Sequence, residues 1–510
     1  MKTNSPLTQL ISQHNSHPAL ITGRQFLRYA DLLPLLQHVS EKLKEHDIHP
    51  GERVAILSEN SPEYLILLLA LWQVQAVAIL LSPRWSPGQI ENALKSIGCT
   101  KIFIPEKQSE KIPSEKIVPF LLEAFVTLPS TLRPFDTAQK MPRAGQAQRD
   151  SATPGAGQAK GSDHLSELGK IELQQETTII FTSGSSGSPK AVLHTFANHF
   201  YSALGSNQNI LFQPGDRWLL SLPLYHVGGL AILFRSLAGG GAVAVPASGE
   251  PLSESIERLR ITHLSLVATQ LYRLLQNDSG VKLLQSLKAI LLGGSAIPAN
   301  LVHQAVEKRL PVFISYGSSE MASQITTTRP DDSPDHLLTA GKLLPYRQLK
   351  IAPDGEILVK GKTLFKGYVQ GEQINPSRQN DGWFATGDLG YLDCDGYLRV
   401  TGRKDNLFIS GGENIQPEEI EQALCQVKGV REAVVVPVKN EEFGYRPAAF
   451  VKMGKGFKPD KTRLRNELQK KIERLKIPDA FYSWPGKNRQ DGLKLSREFF
   501  KKLASKSVDK

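Results

Sequence analysis

Residues 177–195 read Thr-Thr-Ile-Ile-Phe-Thr-Ser-Gly-Ser-Ser-Gly-Ser-Pro-Lys-Ala-Val-Leu-His-Thr. The β-branched run up to Phe181 predicts a short buried strand, and Ala191 to Thr195 predicts another. Between them lies a loop suited to an anion. Gly184 and Gly187 let backbone N–H groups turn toward a polyphosphate, while Thr182, Ser183, Ser185, Ser186 and Lys190 supply hydroxyls and an ammonium. The spacing does not fit G-x-x-x-x-G-K-[ST], and no Ser or Thr follows Lys190, so a Walker ATPase is disfavoured. A Gly/Ser linker is the plain alternative on composition. Ordered runs on both sides leave a linker without a purpose.

Working outward, short apolar runs alternate with longer amphipathic ones from Arg53-Val54-Ala55-Ile56-Leu57 to Val312-Phe313-Ile314-Ser315, the rhythm of an α/β protein. Ala289 to Leu292 ends in Gly293-Gly294-Ser295, and Val312 to Ser315 ends in Tyr316-Gly317-Ser318-Ser319-Glu320. In open α/β sheets ligands gather beyond the carboxyl ends of strands, so the loops after Phe181, Leu292 and Ser315 are expected to converge on one nucleotide. Residues 128–170 turn to Pro, Gln, Ala, Gly and Ser, and a mobile loop is expected there. From 341 to 402, Asp354-Gly355, Asp381-Gly382 and Asp395-Gly396 predict hairpins and a small antiparallel β unit. Beyond Arg403, strand-like and helix-like runs predict a small α+β domain.

At 510 residues, two to four packed units are expected, and 40% hydrophobic with 22% charged residues is a globular composition. The apolar stretch from Tyr64 to Leu81 is interrupted by Gln73 and Gln75 and preceded by the helix-start signal Ser61-Pro62-Glu63, so it reads as a buried helix and a strand, with no stable membrane insertion. Met1 to Pro6 leads into neither a continuous apolar segment nor a small-residue cleavage site, and a cytoplasmic protein is expected. Cys99, Cys394 and Cys425 make no C-x-x-C pair and read as buried structural thiols. Of the net charge of +11, residues 403–510 carry +9, from 24 Lys and Arg against 15 Asp and Glu. That asymmetry marks a separate C-terminal unit, either a surface for a phosphorylated ligand, RNA or an anionic membrane, or a solvated helix face.

Five motifs stand in order: Phe181 to Lys190, Tyr316 to Glu320, Thr386-Gly387-Asp388, Gly402-Arg403-Lys404-Asp405, and Gly492-Leu493-Lys494-Leu495-Ser496-Arg497. Together they resemble the adenylate-forming acyl-CoA synthetase superfamily, from about Arg53 to the end. Serine replaces the commoner threonine at 185, 186 and 319, and Ala191 stands where glycine is usual. The resemblance implies an α/β fold: a large N-terminal part (1–402) with two sheets and the β unit at 341–402, a hinge at 403–405 centred on Asp405, and a small mobile α+β domain (406–510). It also implies ATP, Mg2+ and coenzyme A, a small-molecule carboxylic acid as substrate, and no nucleic acid partner. The oligomeric state stays open, a homo-oligomer included.

In that scheme an acid becomes an acyl-AMP and then a thioester. Thr182, Ser183, Gly184, Ser185, Ser186, Gly187 and Lys190 hold phosphates. Glu320 helps bind Mg2+, and a carboxylate is a suitable hard ligand. Ser319 donates toward the α-phosphate. Tyr316 and Gly317, with Gly293, Gly294 and Ser295, lie along the adenine, although Tyr316 alone reads as core packing. Asp388 and Arg403 hold the ribose. Lys494 neutralises charge between carboxylate and α-phosphate. Gly411 and Gly412 border the path of CoA.

The acid is suggested by Pro223-Leu224-Tyr225-His226-Val227-Gly228-Gly229-Leu230, followed by Arg235 in an apolar setting. Arg235 reads either as a side chain snorkelling at a helix edge or as a guanidinium fixed to pair with a second carboxylate. With the Gly-Leu-Lys-Leu-Ser-Arg ending, this stretch most resembles the branch of the superfamily that activates o-succinylbenzoate for menaquinone synthesis. His226 then lines the entrance to the acid pocket without acid–base work. Another acyl- or aryl-CoA ligase is the alternative, and a non-catalytic nucleotide- or RNA-binding protein a more distant one.

Overall fold

The computed structural model describes residues 6–23, 25–111, 117–129, 133–134, 171–182, 189–454, 456–458, 460–485 and 497–508. Its centre is a layer of helices between two sheets. Helix Pro62–Gln73 starts where Ser61 accepts a hydrogen bond from the Tyr64 amide and proline occupies the first turn. Every residue from Tyr64 to Gln73 is buried, because this helix is covered on all sides. Val77–Leu81 follows as a strand, so the long apolar stretch is divided as its glutamines predict. Among the described residues no helix is long and apolar enough to cross a membrane.

One sheet has eight strands, in the order Gln373–Asn375, Gly367–Gln370, Lys190–Thr195, Glu176–Thr182, Val77–Leu81, Arg53–Leu57, Lys101–Ile104 and Val118–Leu121. From Glu176–Thr182 onward the pairs are parallel; the other three pairs are antiparallel. The other sheet has ten strands and includes Arg217–Leu219, His263–Leu266, Ala289–Leu292 and Val312–Ser318 in parallel array, then Ser323–Thr327 folded back on Val312–Ser318. Strand residues alternate between faces. Val54 and Ile56 thus join the central layer beside Leu67, Trp72 and Phe234, while Ala55 and Leu57 pack with Ile90 and Leu94 of helix Pro87–Ser96. The ten-stranded sheet does the same, with Ile290 and Leu292 facing an outer helical layer. Two-sided burial explains the continuous apolar strands.

The hairpins foreseen at 341–402 are shared among three sheets. Arg347–Ile351, Glu356–Gly361, Phe384–Leu392 and Leu398–Arg403 form a four-stranded antiparallel sheet, but Gly367–Gln370 and Gln373–Asn375 extend the eight-stranded sheet and Lys342–Leu343 the ten-stranded one. Residues beyond 406 build an α+β unit around Ile420, Leu424, Val435, Val451 and Leu468, in agreement with the predicted class. Within the expected loop, Arg133–Pro134 pairs with Gln25 and Phe26, whereas 130–132 and 135–170 lie outside the described residues. One cysteine departs from expectation. Cys99 is buried and Cys425 partly so, but Cys394 is exposed, at the turn between strands Phe384–Leu392 and Leu398–Arg403.

Candidate active site

The two strands flanking the glycine-rich loop pair with one another, Thr182 opposite Lys190. Ser183, Gly184, Ser185, Ser186 and Gly187 lie outside the described residues, as does Lys494. Lys190 begins its strand at the surface, its ammonium 5.1 Å from the centre of the Tyr368 ring. Tyr368 in turn donates from its hydroxyl to Glu320 Oε1 at 2.7 Å. Burial and then the adjacent carboxylate push the Tyr368 phenol up, so it remains a neutral donor. A tyrosine thus joins the candidate phosphate lysine to the candidate metal carboxylate.

Glu320 and Ser319 sit in the short turn Ser319–Met321 that ends strand Val312–Ser318. Ser319 is anchored through its carbonyl, which accepts from His194 Nε2 at 2.6 Å. His194 lies on the strand that Lys190 begins. Burial lowers the His194 imidazole to about 4, partly offset by that carbonyl, and the ring stands 4.6 Å from His199, also held neutral by burial. Gly317 is required where it stands: a Cβ would lie 1.9 Å from the Ser323 carbonyl oxygen on the returning strand. Gly294 has φ of 81°, favourable for glycine, and a Cβ on Gly293 would come 3.2 Å from the Ser315 carbonyl, so this loop runs close beside the strand bearing Tyr316.

A second group meets on the four-stranded sheet, where Asp388 is paired with Arg403 across adjacent strands. Tyr316 donates to Asp388 Oδ2 at 2.7 Å, and Arg403 Nη1 donates to Asp388 Oδ1 at 3.0 Å. Gly387, with φ of 72°, leaves space that a Cβ would take 2.9 Å from Arg403 Nη2. Arg403 also reaches Asp405 Oδ2 at 3.3 Å from Nη2. Tyr316 packs against the core under this sheet, so its ring is partly core while its hydroxyl belongs to the site. Tyr316, Gly317, Ser319, Glu320, Lys190, Asp388 and Arg403 therefore form one connected set.

Arg235 is 1% exposed, which excludes a snorkelling side chain. Its Nε donates to Ser206 Oγ at 2.9 Å, Nη2 to Gln324 Oε1 at 2.6 Å, and its guanidinium lies 5.0 Å from the Trp218 ring. Gln324 pairs with Gly317, so Arg235 is tied to the back of the strand carrying the site. His226 is exposed at the start of helix Val227–Gly239, its ring 4.8 Å from Tyr225. Gly411 and Gly412 form the turn between Phe408–Ser410 and Glu413–Ile415, with φ of 58° and 88°; Gly411 donates to the Phe443 carbonyl, within the C-terminal unit.

Tyr368, His194 and Gln324 were not singled out by sequence. Only His194 carried a signal, standing four residues after Lys190 on the same strand and therefore on the same face. The others meet the site through antiparallel pairing: Tyr368 lies opposite Val192, and Gln324 opposite Gly317.

Among the described residues no group of three or more His, Cys, Asp or Glu could hold a metal ion. A lone carboxylate such as Glu320, with one oxygen engaged by Tyr368, suits Mg2+, which keeps its waters and binds through one or two carboxylates plus substrate phosphates. The residues present fit that ion.

The described part of the site is thus a surface lysine at the start of a strand, an Asp388–Arg403 pair and a carboxylate at Glu320 held by Tyr368. The chain belongs to the AMP-binding enzyme family, which it matches over residues 7–369, with the AMP-binding enzyme C-terminal domain over residues 419–489. It is 32% identical over 500 residues to a Geobacillus kaustophilus protein named 2-succinylbenzoate–CoA ligase, covering 96% of this chain and 95% of that one. A Bacillus subtilis protein of the same name is 32% identical over 494 residues, covering 95% and 94%. The fold matches that of o-succinylbenzoate CoA synthetase (MenE) from Bacillus subtilis in complex with the acyl-adenylate intermediate OSB-AMP, with TM-score 0.79, 30% identity and 98% of each chain covered. The same enzyme in complex with ATP and magnesium ion gives TM-score 0.80 at 30% identity, covering 97% of this chain and 99% of that one.

Proposed function

We propose that this protein joins o-succinylbenzoate to coenzyme A in two half-reactions driven by ATP. The carrying observation is the buried Arg235, tied through Gln324 to the back of Gly317, which sets a fixed positive charge beside the nucleotide motif. A fatty acid has no use for such a charge; an acid with a second carboxylate does.

In the first half-reaction a carboxylate oxygen of the acid attacks the α-phosphorus, forming the acyl-AMP as the bond to pyrophosphate breaks. Both reactants are anionic, so the task is positioning and charge stabilisation. Thr182, Ser183, Ser185, Ser186 and Lys190 hold the departing phosphates, with Gly184 and Gly187 freeing backbone donors. Ser319 donates to the α-phosphate, its turn fixed by His194. Mg2+ at Glu320, when bound, neutralises phosphate charge, and Tyr368 orients that carboxylate. Asp388 and Arg403 hold the ribose; the Tyr316 ring lies along adenine beside Gly293, Gly294 and Ser295. Lys494 bridges carboxylate and α-phosphate. In the second half-reaction the CoA sulfur attacks the acyl carbon and AMP leaves. Residues 406–510 turn about 403–405 between these steps, Asp405 serving as hinge and Gly411 and Gly412 bordering the pantetheine. His226 lines the acid entrance.

The test is CoA-dependent AMP release with o-succinylbenzoate, 4-oxo-4-phenylbutanoate (the same acid without its ring carboxylate), benzoate and fatty acids. The reading requires the highest kcat/KM with o-succinylbenzoate. A higher value with a monocarboxylic acid overturns the substrate and leaves the ligase chemistry standing.

A further inference from the structure

Arg235 has a second buried guanidinium for a neighbour. Arg347, which opens strand Arg347–Ile351, is 5% exposed. Its Nε donates to the Gln324 carbonyl at 2.6 Å, Nη1 to the Pro345 carbonyl at 2.7 Å, and Nη2 to the Ser202 carbonyl at 3.2 Å and hydroxyl at 3.0 Å. Gln324 therefore holds both arginines, Arg235 by its side chain and Arg347 by its backbone. Ser202 and Ser206, one turn apart on helix Phe196–Asn209, take one each. Gly205 between them makes the room: a Cβ there would lie 2.5 Å from Arg347 Nη1 and 2.8 Å from the Pro345 oxygen.

Each of these hydrogen-bond acceptors is neutral, and among the described residues no carboxylate pairs with either guanidinium. Burial lowers both to about 9, and Arg235 adds to the lowering of Arg347, so the two charges feel one another. The fork of donors accounts for the hydrogen bonds, but the charge itself meets no anion among the described residues, only the face of the Trp218 ring beside Arg235. Two buried like charges are costly unless a countercharge arrives. Gln324, which holds the pair, lies opposite Gly317 on the strand whose end carries Ser319 and Glu320.

We propose that Arg347 is a specificity-determining residue, which together with Arg235 makes a buried double-cation site that selects acids bearing a second carboxylate. This rests on the reading of Arg235 given above. It adds that Arg347 acts at one remove, through its field and through the Gln324 that orients Arg235.

The experiment measures KM and kcat for o-succinylbenzoate and for 4-oxo-4-phenylbutanoate in the wild type and in Arg347→Gln, Arg347→Lys and Arg235→Gln. Arg347→Gln should raise KM for the dicarboxylic acid about tenfold, with kcat and the KM of the monocarboxylic acid changed by less than about twofold. Arg347→Lys, which keeps the charge and loses the fork, should keep most of the preference. Equal KM changes for both acids in Arg347→Gln, or loss of preference in Arg347→Lys, overturn the proposal. If Arg347→Gln does not fold, the lysine variant decides by the same comparison. Loss of preference in Arg235→Gln but not in Arg347→Gln overturns this inference alone. Unchanged preference in Arg235→Gln overturns the reading beneath it.

Discussion

Asp388 accepts from Tyr316 at 2.7 Å and from Arg403 at 3.0 Å, so Asp388→Ala deprives two donors that differ in exposure. The Arg403 side chain is 43% exposed and that of Asp388 15%, and water replaces much of this ion pair, whose loss costs under about 1 kcal/mol. Tyr316 has less recourse. Burial and then Asp388 push its phenol well above the ordinary range, so it stays a neutral donor, and losing its carboxylate acceptor, with only the Thr386 hydroxyl left beside it, costs about 1–3 kcal/mol. Asp388→Ala should therefore lower stability by about 2–3 kcal/mol, but by about 1 kcal/mol or less once Tyr316 is Phe. Urea denaturation of the wild type, both single variants and the double variant measures the coupling, expected at about 1–2 kcal/mol. A coupling below about 0.5 kcal/mol would refute the dependence of Tyr316 on Asp388. Asp388→Asn keeps an acceptor for Tyr316 and isolates the ribose role: its KM for ATP should rise about tenfold, because a neutral amide is the weaker acceptor. An unchanged KM would remove Asp388 from the ribose site.

Three further outcomes follow from the same geometry. Tyr368→Phe frees Glu320 Oε1 and should cut adenylation about tenfold, with a higher Mg2+ requirement in ATP–pyrophosphate exchange; an unaltered Mg2+ titration would contradict the orienting role. Lys494→Ala should depress acyl-AMP formation by about 10²–10³, and near-normal pyrophosphate release would cancel the assignment. His194 takes up a proton at about 4 in the folded chain and near 6.5 when unfolded, so as pH falls the unfolded state binds it first. Stability should therefore decline between about pH 6.5 and 4, by about 3 kcal/mol from this group, and His194→Gln should flatten that part of the urea-midpoint profile.

How much of this was legible follows from range. The strands at Arg53, Val77 and Glu176 were readable because two-sided burial demands continuous β-branched and apolar residues, which need only local sequence. The motif residues at 316–320, 388 and 403 were readable through their ordered resemblance to a known superfamily, since Tyr316 taken alone reads as core packing. Tyr368 and Gln324 were not, since each acquires its partner from a strand or helix 48 to 89 residues away and carries no mark in its own neighbourhood. Arg235 was visible as an anomaly, yet its burial, which decides between a snorkelling and an interior guanidinium, depends on Ser206 and Gln324 from other elements.

The two cationic sites of this protein differ in a way that suits their tasks. Arg403 carries its own counter-ions, Asp388 and Asp405, and remains half-exposed at the junction with the C-terminal unit. A pair of that kind can exchange partners at little cost, as a joint between moving parts requires, because water stands in for whichever partner is absent. Arg235 and Arg347 are interior and have only neutral partners, hydrogen-bond acceptors and, for Arg235, the Trp218 ring, so no carboxylate in the described chain balances their charge. An interior charge without a partner discriminates more strongly than a surface one, since a neutral group in the same place leaves the cost of desolvation uncompensated. On the proposed function, nucleotide binding, which must be released at every turnover, falls to the screened pair, and choice of acid to the unscreened one.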